Sequence, residues 1–422
     1  MHGQHMSVTD YIDGRSQISG SAERRICMPY CIIRWGMTSK ERHEARYQRR
    51  KAAREEKKRK YMKEYDDFDK VFSFNNLYRA FFACKKGVRW KYAVKNYNIH
   101  HLKYTWMAYK EMHGLYGCRY RFMGHTKFRI VERGKERDIA AVKLPDRVKD
   151  KCFADNSLTP ATGRRLIYDN PASRKGMGVR HTRQRIEKEL RRLCKKYGRE
   201  FYIGITDCKN YFGSLRHEEI IKILNDVYKD ERLIRYAEYR LSVEGKDGVG
   251  IGLGCQNNQN YAITYMDSVD HVMTGMVKYK RYMDDEIMFE HGKDKIQAAV
   301  GIMVEMCREK GIALHEEKIQ IIPATHSFSF MKTTYRLTEN GKIIRKPWKM
   351  REKKHRRKLR LFRRLVDNGE MDIKDVENFQ RSFCGSMKEF DALCIIEKMQ
   401  KYYENLFPEI TGAGKKGGKE DV

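Results

Sequence analysis

The pattern of apolar and polar positions becomes readable after residue 37. Thr38-Ser39-Lys40-Glu41 is a capping-box pattern that starts a helix. The stretch that follows, 39–65, is mostly Arg, Lys and Glu with few apolar positions, as in a solvated helix. Residues 1–36 show no pattern and are expected to be a disordered extension, an upstream addition or false start ahead of Met37. Residues 68–120 interleave aromatic and basic side chains, among them Phe72, Phe74, Tyr78, Phe81, Phe82, Trp90 and Tyr92, and predict a small helical unit. A hairpin is expected over 127–143, with Phe128, Ile130 and Val131 leading into Gly134-Lys135 and Ile139 to Val142 leading out. A basic helix over 182–197 follows.

Strand and helix alternate in the centre. Phe201 to Ile205 reads as a short apolar strand. Ile220, Leu224 and Val227 mark one helix, and Tyr261, Tyr265, Val269, Val272 and Met276 mark a second. Lys278 to Phe289 reads as two strands around Met283-Asp284-Asp285. Ile296, Val300, Met303 and Cys307 mark a third helix, which stops near Gly311. A last hairpin turns at Asn340-Gly341. Three helices are expected over 350–366, 372–386 and 388–406, the first strongly basic, and then a disordered Gly- and Lys-rich tail. No internal repeat is present.

Composition adds a partner to this outline. A chain of 422 residues exceeds one core and suggests two to four packed units. The formal net charge of +32 repels itself in a compact fold, so a polyanion is the natural partner, with nucleic acid ahead of anionic membrane. The helix at 39–65 then reads equally well as an RNA-binding arm. No apolar run is long enough to span a membrane, and the first residues lack the positive start and apolar core of a signal peptide. The 11 cysteines form no Cys-x-x-Cys pair, which reads as reduced thiols in a cytoplasmic protein.

The candidate chemistry lies in the central strands. Asp207 ends the apolar run Phe201-Tyr-Ile-Gly-Ile-Thr-Asp207. Asp284 and Asp285 are adjacent carboxylates within an otherwise apolar hairpin. A fold tolerates such repulsion, with a third carboxylate nearby, when divalent cations neutralise it. Two magnesium ions can do so, activating an attacking hydroxyl and stabilising the leaving oxygen of an in-line displacement. Manganese is the substitute to expect.

These residues carry a resemblance. Tyr282-Met-Asp-Asp285 resembles the Tyr-x-Asp-Asp box of reverse transcriptases. Asp207-Cys-Lys-Asn-Tyr-Phe212 resembles the preceding carboxylate motif, with its aromatic five residues on. Gly250-Ile-Gly-Leu-Gly254-Cys-Gln-Asn-Asn-Gln259 is similar to the motif between them. The resemblance implies an α+β right-hand polymerase fold with fingers, a palm built on an antiparallel sheet, and a helical thumb. It divides the chain into a 1–36 extension, a 37–66 basic helical arm, a 67–199 helical unit and fingers, a 200–345 palm, a 346–408 thumb and a 409–422 tail. By the same resemblance Asp207 and Asp284 bind both metals and Asp285 supports the site. Phe212 becomes a steric gate against a ribose 2′-hydroxyl. Lys135 and Arg137 grip the incoming triphosphate, and Arg174, Gly254 and Gln259 stand beside the nucleotide. Lys318 matches a lysine that protonates the leaving pyrophosphate.

The chain also departs from the family pattern. Gly252-Leu253-Gly254 stands where Pro-Gln-Gly is usual, Asn258-Gln259 where Ser-Gln is expected, and Phe330-Met331-Lys332 where Phe-Leu-Gly is common. The form Leu253-Gly254-x-x-x-Asn258-Gln259 is most similar to bacterial diversity-generating retroelement, retron and defence-associated enzymes. The expected activity is RNA-directed DNA polymerisation in a bacterial or phage retroelement or defence system. Its expected partners are an RNA template, a DNA or RNA primer and dNTPs, with an accessory protein or second copy as a further partner and no membrane. Three alternatives stay open: a non-catalytic RNA-binding protein, a template-independent or protein-primed DNA polymerase, and an RNA-directed RNA polymerase. The intact aspartates argue against the first, and Tyr282 with Phe212 against the last.

Overall fold

The computed structural model describes residues 38–132 and 135–410. The expected 1–36 extension lies outside the described residues, as does most of the 409–422 tail. The start of that tail differs from expectation: Pro408–Ile410 forms a 3-10 turn, and Glu409 is ion-paired with Arg363.

The chain divides into two compact units, 1–60 and 61–422. In the first, helix Ser39–Tyr65 begins at the expected capping box. The Thr38 backbone N–H donates to the Glu41 carboxylate at 2.7 Å, and the Glu41 N–H donates back to the Thr38 hydroxyl at 3.3 Å. Nearly every described residue up to Lys60 is exposed, as a helix without an apolar stripe must be.

The second unit opens with helices Phe68–Val71, Phe74–Cys84, Tyr92–Ile99 and His101–His113. In Phe74–Cys84 the spacing of Leu77, Ala80, Phe81 and Cys84 puts one face inside. Phe81 stacks on Tyr97 with ring centres 4.5 Å apart. Phe72 meets Tyr236 edge-on at 5.0 Å, which ties this unit to helix Glu231–Ser242.

Strands β1 (His125–Glu132) and β2 (Lys135–Val142) form the expected antiparallel ribbon, with Ile130 opposite Arg137. After helices Leu144–Phe153 and Val179–Tyr197 comes the central sheet. It contains β3 (Tyr202–Lys209), β4 (Lys278–Tyr282), β5 (Asp285–Glu290), β6 (Ala313–Leu314) and β7 (Gln320–Pro323). The order is β4-β5-β3, and the far edge of β3 pairs with β7 along its first half and β6 at its end, all antiparallel. Strands β8 (Phe328–Phe330), β9 (Thr333–Leu337) and β10 (Ile343–Pro347) make a separate three-stranded sheet. Helices Met350–Asp367, Ile373–Met387 and Leu393–Leu406 close the chain around Leu359, Val376, Tyr403 and Phe407. The fold is therefore mixed α+β with antiparallel sheets.

Side chains on β3 and β5 alternate between two cores. Gly204 and Met288 face the larger core with helix Lys293–Glu309, where Ile296, Ala299 and Met303 are buried. Ile203, Ile287 and Phe289 face the smaller one, beneath Ile186 and Leu190 of helix Val179–Tyr197 and Phe328 and Tyr335 of the second sheet.

Two details differ from the sequence reading. Strand β3 runs two residues past Asp207 because its end pairs with β6. The single helix expected from Tyr261 to Met276 is two, Gln256–Tyr265 and Asp267–Met276. Met266 leaves helical geometry at φ −96°, ψ 14°, and Asp267 and Asp270 stand in the first turn of the new helix, where carboxylates are favoured. The apolar spacing continues across the break, but Tyr261, Tyr265 and Val269 are buried whereas Val272 and Met276 stay exposed, because the second helix buries Val269, Asp270 and Met273 instead.

The packing over β3 predicts opposite effects at two glycines. A Cβ on Gly204 would lie 2.6 Å from Met288 Cγ and 2.8 Å from Ile296 Cγ2, so Gly204→Ala costs about 1–3 kcal/mol. Gly301, exposed within helix Lys293–Glu309, has nothing within 4 Å, so Gly301→Ala stabilises by about 0.5–1 kcal/mol. Denaturant melts of the two variants should move to opposite sides of the parent; a shift to the same side contradicts this packing.

Candidate active site

The antiparallel register of β3 and β5 sets Asp207 directly opposite Asp285. Both lie on the face that carries Ile203, Ile205 and Ile287. Burial falls along that face: Ile203 and Ile287 are buried under the helix and second sheet, whereas Asp207 and Asp285 are half-exposed. Asp284 occupies the turn between β4 and β5, and its carbonyl accepts from the Cys208 N–H at 3.2 Å. The turn is tight, with Met283 in the left-handed region at φ 58°. On the other edge, the His315 N–H donates to the Asp207 carbonyl at 2.9 Å.

The three carboxylates act on one another. The Asp285 carboxyl is pushed up to about 7, first by burial and then by the charges of Asp284 and Asp207, while Lys332 and Lys318 oppose the shift. The Lys318 ammonium forms an ion pair with the Asp207 carboxylate. Lys318 lies in a short turn, Glu316–Lys318, directly after β6. On the opposite face of β5, Glu286 is fully buried and also raised to about 7, chiefly by burial. It accepts from the Thr206 hydroxyl at 2.5 Å, across the ladder.

What holds the turn is a residue whose role the sequence reading did not assign. Arg281 on β4 is fully buried, and its guanidinium pairs with the fully buried Asp270 at 2.7 and 2.9 Å. The same guanidinium donates to the Met283 carbonyl at 2.9 Å and the Ile263 carbonyl at 2.6 Å. The amide of Asn170 donates to Asp270 at 3.2 Å, and the Arg281 N–H donates to the Asp169 carbonyl at 3.1 Å. Asp169 in turn holds Arg185 and, at 3.1 Å, Lys280. The available signal was charge at inward strand positions: Lys280 and Arg281 interrupt a strand whose neighbours are apolar, and buried cations need partners.

A second group of expected residues gathers around the loop 250–254. The Gly250 N–H donates to the Leu215 carbonyl at 2.8 Å and the Ile251 N–H to the Phe212 carbonyl at 2.9 Å. Phe212 is thereby fixed beside that loop, its half-buried ring packed on the larger core. The Ala140 N–H of β2 donates to the Leu253 carbonyl at 3.3 Å, which docks the ribbon on the loop. Gly254 has φ +117° and would place a Cβ 3.5 Å from Ile139 Cγ2. Arg137 lies two residues before Ile139 at an exposed position, and Lys135 begins the same strand. Gln259 is exposed on helix Gln256–Tyr265, where its side chain accepts from the Ser173 hydroxyl at 3.4 Å. Arg174 follows, with one guanidinium nitrogen on the Ile167 and Asn170 carbonyls at 3.1 and 3.3 Å. The structure thus brings Asp207, Asp284, Asp285 and Lys318 into one cluster. Phe212, Gly254, Gln259, Arg174 and the ribbon form a second, through the loop.

Among the described residues no three His, Cys, Asp or Glu side chains close into a ready metal cage. The carboxylates instead form an open cluster in which Asp285 binds its proton more tightly through burial and the neighbouring charges, and Lys318 is ion-paired with Asp207. Such a donor set suits a hard cation that keeps water and substrate oxygens among its ligands.

Comparison with known proteins gives the class. Residues 133–335 match the family described as reverse transcriptase (RNA-dependent DNA polymerase). That stretch contains the carboxylate cluster and, apart from β1, the second group; the match supports a reverse transcriptase domain with nucleotidyltransferase chemistry, and that family generally uses divalent metal ions. Comparison with curated proteins gives no match. Among solved structures the chain is similar to a telomerase from Candida tropicalis, apo and truncated from the C-terminal domain, at TM-score 0.41 and 14% identity over 53% of this chain and 55% of that one. It is similar to a telomerase from Candida albicans in complex with a TWJ fragment of telomeric RNA, at TM-score 0.41 and 12% identity over 69% and 60%. An apo telomerase from Candida tropicalis matches at 0.39 and 11%, over 53% and 47%. The matches thus span 47–60% of the telomerase chains.

The crowding of carboxylates makes stability depend on pH in metal-free protein. Asp285 binds its proton more tightly folded than unfolded, so its contribution is intact near pH 4 and is lost as pH rises toward 7. Asp285→Asn removes that loss. In EDTA the variant should exceed the parent by on the order of 1–4 kcal/mol at pH 8, and by much less at pH 4. Urea melts at the two pH values check this; an equal difference at both contradicts the assigned environment.

Proposed function

We propose that this chain is an RNA-directed DNA polymerase that extends a DNA or RNA primer along an RNA template with dNTPs. The observation that carries this reading is Asp207 facing Asp285 across the β3–β5 ladder with Asp284 in the adjoining turn, all inside the reverse transcriptase segment. Asp207 and Asp284 would hold two magnesium ions, supported by Asp285, which supply a deprotonated primer hydroxyl and neutralise the departing pyrophosphate. The other roles belong to the chain itself. Lys318 holds Asp207 as its counter-ion before substrate arrives and then stands ready to give a proton to the pyrophosphate. Phe212, held rigid by the loop 250–254, forms the floor under the sugar. Gly254 lets the backbone approach the nucleotide, with Gln259 and Arg174 beside it. Arg137 and Lys135 reach the triphosphate from the ribbon.

On this reading residues 67–199 are the helical unit and fingers, 200–345 the palm and 346–408 the thumb. The net charge of +32 gives the template its nonspecific hold. The sequence Leu253-Gly254-x-x-x-Asn258-Gln259 favours a cytoplasmic enzyme of a bacterial or phage retroelement or defence system.

Two measurements test the reading. Asp284→Ala should lower dNTP incorporation on a primed RNA by about 10³-fold or more while leaving RNA affinity within about twofold. Incorporation close to the parent rate would place the chemistry elsewhere. The second concerns the sugar. Burying a 2′-hydroxyl against carbon costs roughly 1–3 kcal/mol, so Phe212→Val should reduce the preference for dCTP over CTP by about tenfold while dCTP is still used. An unchanged ratio makes Phe212 a core aromatic only.

A further inference from the structure

Outside the catalytic cluster, one surface combines aromatic rings with positive charge. Residues 70–110 hold nine Lys or Arg and no Asp or Glu. Along helix His101–His113, Trp106, Tyr109 and His113 share one face at i, i+3 and i+7. Trp106 stacks on Tyr109 with ring centres 5.5 Å apart and planes 18° apart, and Tyr109 meets His113 at 4.3 Å. Trp106 remains 43% exposed, so a flat surface faces solvent at the start of this row.

The row ends at a recess of about 370 Å³ between the end of that helix and helix Glu231–Ser242. Its volume is within the range of small-ligand sites. Phe68, Tyr120, Tyr236 and Tyr239 supply aromatic walls. Arg232 is a preset planar wall, held by Asp230 and Asp69 at 2.9 Å each, with its guanidinium 5.0 Å from the Phe68 ring centre. Arg235 stands at the mouth, its side chain 68% exposed and, among the described residues, paired with the exposed Glu231 at 3.2 Å. Such a surface pair is weak and opens readily for a phosphate. The Asp69 carboxylate also lines the recess, which keeps phosphate out of its interior and offers an acceptor to a base N–H or a 2′-hydroxyl.

We infer that this recess takes one unpaired nucleotide of an RNA strand, base inward and phosphate on Arg235, with the neighbouring base stacked on Trp106. Aromatic platforms joined to cationic tracks are how proteins hold single strands, and duplexes cannot present an unstacked base to them. The residues involved are separate from those of the carboxylate cluster, so the site adds a hold on the RNA that those residues do not supply.

The test uses the full chain without dNTPs, so its result is independent of polymerisation. The probes are a 12-nucleotide single-stranded oligouridylate carrying 5-iodouridine and a blunt 12-base-pair RNA duplex. Irradiation should crosslink the single strand to Tyr236, Tyr239 or Trp106, read by mass spectrometry. Trp106→Ala and Arg235→Ala should each weaken single-strand binding about fivefold or more, with duplex affinity and melting temperature unchanged. The inference is overturned by crosslinks confined to other residues. It is equally overturned if Arg235→Ala leaves single-strand affinity unchanged, or lowers single-strand and duplex affinity alike.

Discussion

Three carboxylates at one end of a sheet repel one another, and much of the central architecture serves to hold them there. The opposition of Asp207 and Asp285 follows from register alone. Register in turn follows from which residues the sheet must bury, because a shift by one position would turn Ile203 and Ile287 away from the smaller core and Gly204 and Met288 away from the larger. The apolar halves of β3 and β5 thus fix a charged end that would not form by itself. Asp285 bears the cost as a raised proton affinity, and Lys318 offsets part of it on Asp207.

The turn that carries Asp284 is restrained by a different device. Arg281 and Asp270 are a fully buried ion pair, an arrangement whose net stabilisation is small but whose disruption is costly. Every other bond of that guanidinium goes to a backbone carbonyl, including Met283 at the left-handed turn position. The pair therefore contributes specificity of position: it links the turn to helix Asp267–Met276 and, through Asn170, to the loop that leads to Arg174. The turn that carries Asp284 and the segment from Asn170 to Arg174 then share one support.

Much of this was legible in the sequence where a local pattern and its environment agreed. Asp284 and Asp285 stood out because adjacent carboxylates broke an apolar strand pair, and Asp207 because an apolar run led into it. The capping box at Thr38 and the pairing of β1 with β2 were visible for the same local reason. Helix Glu231–Ser242 escaped because Arg and Tyr on its outer face dilute the periodicity of Leu233, Ala237 and Leu241. The break at Met266 escaped because Val272 and Met276 continue the helical apolar spacing although both stay exposed. Arg281 lies within the strand pair read over Lys278 to Phe289, but its partner Asp270 lies on another element, and pairing across elements is a tertiary fact. Tail residue Glu409 was likewise held by a distant partner, Arg363.

The central claim is that these carboxylates form a divalent-cation site completed by nucleotide. Diffraction from crystals grown with manganese, a primed RNA and a non-hydrolysable dNTP analogue, collected at the manganese edge, tests it most directly. The account predicts anomalous density against Asp207 and Asp284, with Lys318 withdrawn from Asp207. Manganese density away from these residues, with the Lys318–Asp207 pair intact beside bound nucleotide, would contradict it.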